Sequence, residues 1–211
     1  SWSYTSPTWV SGKTYLVRSK ALDNASNSET AGSGNSFIFD DTAPSSNIVA
    51  PVNGNTYNSL SNITGTAVDT TSTVVTVKLN IKNTTDTTYW NGGAWVSSDT
   101  WLDATGTTNW NYNIASWVSG KNYLVKSQAS DSIGNIETVG SGVSLFFDNA
   151  SPTSTVVSPT NGTTLKSLLT ISGTANDPSV GSGLSFVKIS IKNVTDTNYW
   201  NGSTWGGSET W

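Results

Sequence analysis

A tandem array of antiparallel β-sandwiches is the fold class this sequence predicts, and three observations carry that expectation. Apolar residues alternate with polar ones at a period of two, as in Val75, Val77, Leu79 and Ile81 against Thr76, Lys78, Asn80 and Lys82, the pattern of a strand with one buried face. Gly, Pro and Asn punctuate such runs throughout, and no stretch of helical periodicity is long enough to compete. The chain is also similar to itself: at a shift of 108 residues, 34 of the 61 pairs from Trp9–Trp117 to Asp69–Asp177 are identical, far more than shared composition produces.

The repeat sets the organisation. WVSGKTYLVRS at Trp9 falls on WVSGKNYLVKS at Trp117, and the match runs on through GSG, FD, NG and GTA. Two extra residues near DPSVGSG move the offset to 110, after which VKLNIKNTTDTTYWNG matches VKISIKNVTDTNYWNG. The chain then divides into the C-terminal half of one repeat at 1–42, a complete repeat at 43–149 and the N-terminal half of a further repeat at 150–211. The closing NYWNGSTWGGSETW stops where TYWNGGAWVSSDTW, at Thr88 to Trp101, continues, so both ends fall inside the unit. Two expectations fit. Either the chain is a window on a longer tandem array, or the half-unit of one molecule completes that of the next by strand addition. Both give an end-to-end filament of neighbouring repeats or identical chains.

Within the complete repeat the expected strands are, in order, Asn47 to Ala50, Leu60 to Ala67, Val75 to Ile81, Tyr89 to Val96, Trp110 to Ala115, Asn122 to Ala129 and Val143 to Phe147. Asn91-Gly92 predicts a tight hairpin turn, because both residues tolerate positive φ. The second copy repeats the alternating strand at Val187, Ile189 and Ile191. Seven or eight short strands in about 105 residues fit an antiparallel sandwich. Tyr123, entering the penultimate strand two residues before Val125, has the spacing of the tyrosine corner of immunoglobulin-like sandwiches, with Val125 where a disulfide Cys would otherwise stand. Tyr15 and Val17 repeat it.

SPTNGTTLKSLLTISGTANDPSVGSGLSFVKISIKN, the SDSIGNIET turn and the FDNASP junction together resemble the bacterial Ig-like (Big-type) repeats of very large extracellular surface proteins and adhesins. The resemblance spans the whole chain in two permuted copies. It implies tandem immunoglobulin-like sandwiches in a cell-surface or secreted stalk, adhesin or filament.

Composition excludes several functions. Only 11% of residues are charged and the net charge is -4, so no basic field exists for nucleic acid. No apolar run reaches the roughly 18 residues of a membrane span. The absence of Cys, Met and His removes the commonest nucleophile–base pairs and the soft or imidazole metal ligands, leaving carboxylates. Those acids, Glu29 and Glu137 included, recur with the repeat, which fits structural duplication and a non-enzymatic chain better than two carboxylates facing one cleft.

Four sets of residues carry site expectations. Surface arrays often stiffen their junctions with calcium, a hard ion that takes oxygen ligands, and Asp40, Asp41 and Asp148 stand at the junctions; at the second, Asn149 replaces one acid, and turn-forming Asp is the simpler role. Asp69 with Asp177, and Asp23 with Asp131, lie in loops. Among ten Trp, the hairpin residues Trp90, Trp95, Trp200 and Trp205 are candidates for stacking on surface glycans or for contacts between fibres, against the plainer role of core and junction bulk. A multivalent carbohydrate-binding adhesin is thus the alternative to a structural stalk. Seven glycosylation sequons occur, among them Asn62, Asn83, Asn193 and Asn201, about the number chance allows in so Asn-, Ser- and Thr-rich a chain. Lys78 and Lys82 face outward, which disfavours an internal Lys–Asn crosslink.

Overall fold

Most of the alternating and turn-bounded runs become strands in the computed structural model, which describes every residue except 115 and 179–181. No helix occurs among the described residues. They fall into two compact units, Ser1–Phe147 and Asp148–Trp211.

Unit 1 opens with a hairpin, β1 (Lys13–Val17) with β2 (Asn35–Phe39). A complete sandwich follows: β3 (Ser45–Ala50), β4 (Asn55–Tyr57), β5 (Asn62–Val68), β6 (Val74–Asn83), β7 (Thr88–Trp90), β8 (Trp95–Val96), β9 (Leu102–Asp103), β10 (Thr105–Gly106), β11 (Asn109–Asn113), β12 (Lys121–Asp131) and β13 (Val143–Phe147). One sheet has the order β10-β11-β5-β3 and the other β4-β13-β12-β6-β7-β8, with β9 also paired to β6. All pairs are antiparallel except β4 with β13. The sets β3-β5-β11-β10 and β6-β12-β13 reproduce the two sheets of an immunoglobulin-like domain, here with β4 added beside β13.

The inward-facing residues of both sheets make one core. Ile63 and Ala67 of β5 and Trp110 of β11 meet Val77, Leu79 and Ile81 of β6, Tyr123, Val125 and Ala129 of β12, and Leu145 and Phe147 of β13. Gly65 lies at the centre, and a Cβ there would stand 2.0 Å from Cζ2 of Trp110 and 2.2 Å from the Asn47 carbonyl. The missing side chain is what admits the indole. Trp117 packs edge-on to Tyr123, ring centroids 4.7 Å apart, and its Nε1–H donates to the Leu60 carbonyl at 2.6 Å.

The tyrosine corner forms as the spacing predicts. The Val118 N–H donates to Tyr123 Oη at 2.8 Å, and the Tyr123 hydroxyl donates to the Val118 carbonyl at 3.0 Å. Burial pushes the Tyr123 phenol above its ordinary pKa, partly offset by the Val118 hydrogen bond, so it stays a neutral donor. The Val10 N–H makes the same bond to Tyr15 at 2.8 Å. Tyr123→Phe is expected to cost about 1–2 kcal/mol, read as a lower urea midpoint with an unchanged slope.

Several sequence expectations change in detail. The segment expected at Tyr89 to Val96 is two strands around a four-residue loop, and only Gly92 has positive φ (99°). Asn91 instead closes the turn with its side chain, accepting from the Gly93 and Ala94 N–H groups at 3.0 and 2.8 Å. Asn80, on the polar face of β6, is buried because the following loop folds over it: its Nδ2 donates to Asp99 at 2.7 Å and to the Thr100 carbonyl at 2.9 Å. Lys78 faces outward beside Asp103. Ala115, the expected end of its strand, and 179–181 of the DPSVGSG insertion lie outside the described residues.

Unit 2 comprises β14 (Thr153–Ser158) paired with β15 (Ser172–Asn176), and the small sheet β16 (Lys192–Asn193), β17 (Asn198–Trp200) and β18 (Trp205–Gly206). The strand expected through Val187, Ile189 and Ile191 does not form: none of the three lies in a strand, and β16 begins only at Lys192. The reason is a missing neighbour: in unit 1 the equivalent β6 is held along its length by β12, and residues 148–211 contain no counterpart of β12.

Candidate metal centre at the repeat joint

Three loop aspartates far apart in sequence meet where residues 1–42 adjoin the complete repeat. One carboxylate oxygen from each of Asp40, Asp69 and Asp131 lies within 4.8 Å of the others. Asp40 follows β2, Asp69 follows β5 and Asp131 ends β12, so three strand ends aim them at one point.

Each carboxylate is held in place by short-range hydrogen bonds. Asp40 Oδ1 accepts from the Ser11 hydroxyl and the Thr42 N–H, both at 3.0 Å. Asp69 Oδ1 accepts from the Thr71 and Ser72 N–H groups at 2.8 and 2.7 Å. Asp131 Oδ1 accepts from the Ile133 and Asn135 N–H groups at 3.1 and 2.7 Å, the Asx-type turn that Asp favours. The Ser72 hydroxyl stands between Asp69 (3.2 Å) and Asp131 (2.9 Å). Asn135 stitches the joint: its Nδ2 lies 2.9 Å from Asp131 Oδ2, 3.2 Å from the Thr42 carbonyl and 3.4 Å from the Asp40 carbonyl. Nearby, Glu137 ties β3 to β12, accepting from the Ser46 N–H (2.7 Å), the Ser46 hydroxyl (2.5 Å) and the Ala129 N–H (2.9 Å).

Hydrogen bonding still leaves the cluster unsatisfied. Oδ2 of Asp40 and Oδ2 of Asp69 are buried and accept no hydrogen bond from any described residue. The described ion pairs, Lys78 with Asp103 and Lys121 with Asp86, involve other acids. Buried carboxylate oxygens without partners, beside a third carboxylate, are costly unless a cation compensates them. An all-oxygen, triply anionic set fits a hard divalent ion such as calcium.

The protonation equilibria agree with ionised acids. Asp69 is held below the ordinary carboxylate range by the Ser72 and Thr71 N–H groups, although burial and the Asp131 charge oppose it. For Asp131, burial is the largest single influence and pushes upward, yet the hydrogen bonds from Asn135, Ser72 and Ile133 together bring it below that range.

The sequence expectation put calcium at Asp40, Asp41 and Asp148; of these, the structure brings Asp40 into the described cluster. Asp41 is exposed, contributing only its N–H to Ser11 Oγ at 3.1 Å, because consecutive residues leaving a strand point to opposite sides. The carboxylates that lie beside Asp40 are those of Asp69 and Asp131. The signal for them was their recurrence as Asp177 and Asp23 at the repeat offset. Asp148 belongs to unit 2, where it and Asp177 both accept from the Ser182 hydroxyl, Asp177 at 2.6 Å; these are the counterparts of Asp40, Asp69 and Ser72.

The other candidates resolve differently. Trp90 is a core residue whose Nε1–H donates to Tyr112 Oη at 3.2 Å. Trp95 is half-buried, 5.5 Å from Trp90 and 5.2 Å from Tyr123 between ring centroids. Trp90 is buried in the core, and Trp95 packs partly against it, as the hairpin folds onto the sandwich. Trp200 and Trp205 form the same pair, 5.6 Å apart, and remain partly exposed. Among the sequons, Asn83 is buried: its Oδ1 accepts from the Thr85 and Asp86 N–H groups at 3.0 Å each, and its Nδ2 donates to Asp86. It serves the turn and is closed to modification in the folded chain. Asn193 makes the same turn with Asp196, Asn201 is exposed, and Asn62 begins β5.

No protein-family model matches this chain, and no curated protein matches it. Similar solved structures include an engineered protein (16% identity, TM-score 0.31), with 49% of this chain covering 20% of that one. Another is the fibronectin(III)-like modules of CbhA from Clostridium thermocellum, at 22% identity and TM-score 0.33, covering 64% of this chain and 63% of that one. Both scores are too low to carry an argument, so the fold stands on strand order, core and tyrosine corner.

Proposed function

We propose that this chain is a structural, non-enzymatic segment of an extracellular tandem-repeat fibre, of the kind formed by bacterial Ig-like surface repeats, whose joints are stiffened by calcium. The observation that carries this is the meeting of Asp40, from one repeat, with Asp69 and Asp131, from the next, with two carboxylate oxygens buried and unpaired. A cation held there links consecutive repeats and converts a short connection into a defined angle, where an unsupported junction would leave the repeats free to move. Packing of Trp90 and Trp95 into the sandwich favours this mechanical role over stacking on glycans.

Thermal unfolding with and without calcium tests it. Ligand that binds only the folded state raises stability as RT ln(1 + [L]/Kd), about 2.7 kcal/mol at a hundredfold excess over Kd. Calcium is expected to raise the unfolding temperature of the chain, EDTA to reverse it, and Asp69→Asn with Asp131→Asn to abolish the response. An unchanged unfolding temperature in millimolar calcium would refute the cation-stiffened joint.

A further inference from the structure

Tension along a fibre enters each repeat through its first strands and leaves through its last, and in the complete repeat these meet side by side. β4 with β13 is the one parallel pairing among the described strands, with Asn55, Thr56 and Tyr57 opposite Leu145, Phe146 and Phe147. The pairing stands at the edge of its sheet, so β4 can slide along β13 without any other strand of that sheet moving first.

More than a ladder holds the two together. Ser144 gives Asn53 Oδ1 both its N–H, at 2.8 Å, and its hydroxyl, at 2.9 Å, while its carbonyl accepts from the Gly54 N–H at 2.8 Å. Gly54 has a φ of 79°, a conformation Gly adopts at no steric cost. The entering segment is also closed on itself: the Val52 N–H donates to Tyr57 Oη at 2.7 Å and the Asn55 N–H to the Val52 carbonyl at 3.3 Å. It cannot straighten while these bonds persist. On the inner side Tyr57, Leu145 and Phe147 pack on the core. The clasp residues recur at the repeat offset of 108, Asn53-Gly54 as Asn161-Gly162 and Ser144 as Ser36, although their neighbours Val52, Tyr57 and Val143 become Thr160, Leu165 and Asn35.

Topology decides how a pull acts on these bonds. The entering and leaving strands run the same way, so a pull before β3 and a pull after β13 draw them in opposite directions along one axis. Their bonds are then sheared together. The β1–β2 hairpin is the contrary case: Lys13 lies opposite Phe39, both loaded ends are at one edge, and the bonds open one after another. Forced unfolding is governed by the unfolding rate and not by equilibrium stability alone, so a few bonds set across the load outweigh many placed elsewhere.

We propose that the β4–β13 pairing, with the Asn53–Ser144 clasp, is a shear clamp that sets the force at which the complete repeat unfolds. The clamp rests on the fibre reading only for the direction of its load, and the cation at the joint has no part in it.

Single-molecule extension of the full chain tests the clamp. The chain has no Cys, so handles attach only where cysteines are introduced, and Ala43, Val118 and Asn149 are exposed. Ala43→Cys with Asn149→Cys shears the clamp. Val118→Cys with Asn149→Cys peels β12 from β13, starting at the paired ends Lys121 and Phe147. In EDTA the first geometry is expected to unfold at several times the force of the second. Asn53→Ala, at an exposed position and with its fold verified by circular dichroism, is expected to lower the first force and leave the second unchanged. Equal forces in the two geometries, an Asn53→Ala variant with an unchanged shear force, or one that weakens both geometries alike would overturn the proposal. The joint is read separately, from the response of the unfolding temperature to calcium, so either idea can fail while the other stands.

Discussion

Trp110→Ala is expected to destabilise unit 1 by about 3–5 kcal/mol, the usual loss when a large buried aromatic is truncated. Trp110 sits between the sheets against Gly65, with Ile63, Leu79 and Val125 in the same core. Its ring atoms occupy the space a side chain at residue 65 would take, so the truncation opens a cavity that the backbone of β5 cannot collapse into. One feature trims the loss: Trp110 Nε1 donates to no described residue, and removing an unpaired buried donor recovers part of its desolvation cost. Gly65→Ala probes the same contact from the other side. With ring and backbone atoms 2.0 and 2.2 Å from the added Cβ, it forces strand and indole apart, at the upper end of the roughly 1–3 kcal/mol that overpacking costs. Urea unfolding followed by tryptophan fluorescence measures both. Losses below about 1 kcal/mol would mean that Trp110 does not occupy the centre of this core.

Acid should unfasten the joint. Asp69 and Asp131 have folded pKa values below those of the unfolded chain, where Asp titrates near 3.9. The unfolded state therefore binds more protons in the interval between the two values, so stability rises with pH there. Their stabilisation is fully present above the unfolded value and is lost as pH falls through the lowered folded ones. The unfolding temperature of unit 1 is expected to stay level from neutral pH to about 5 and to fall below that. Asp69→Asn with Asp131→Asn should flatten the fall. Bound calcium, which competes with protons for the same oxygens, should move it to lower pH. An identical acid slope in the double variant would assign the pH dependence to other carboxylates.

The fold was readable because its determinants are local. Period-two alternation at Val75–Ile81 marks β6, Gly92 marks the hairpin, and Tyr123 with Val125 marks the corner, each within a few residues. What escaped depended on distant partners. Asn80 looks like an outward polar residue until the loop carrying Asp99 covers it. Val187 to Ile191 carries the alternation of a strand, yet pairing is a property of two segments, and the neighbour that β6 has in β12 is not among residues 148–211. The joint illustrates the same limit. Asp40, Asp69 and Asp131 are separated by 29 and 62 residues and converge only through the sandwich topology, so proximity along the chain favoured Asp41 instead. Trp90 and Trp95 are loud in the sequence, but composition does not say which face of a hairpin turns inward.

Locating the ion itself tests the central claim most directly. Crystals of the chain grown with calcium, measured for anomalous scattering, are expected to show a peak bounded by Asp40, Asp69 and Asp131, with oxygens at about 2.3–2.6 Å. A well-ordered joint with no peak there, or with Lys or Arg paired to those carboxylates instead, would contradict a cation-stiffened link between repeats.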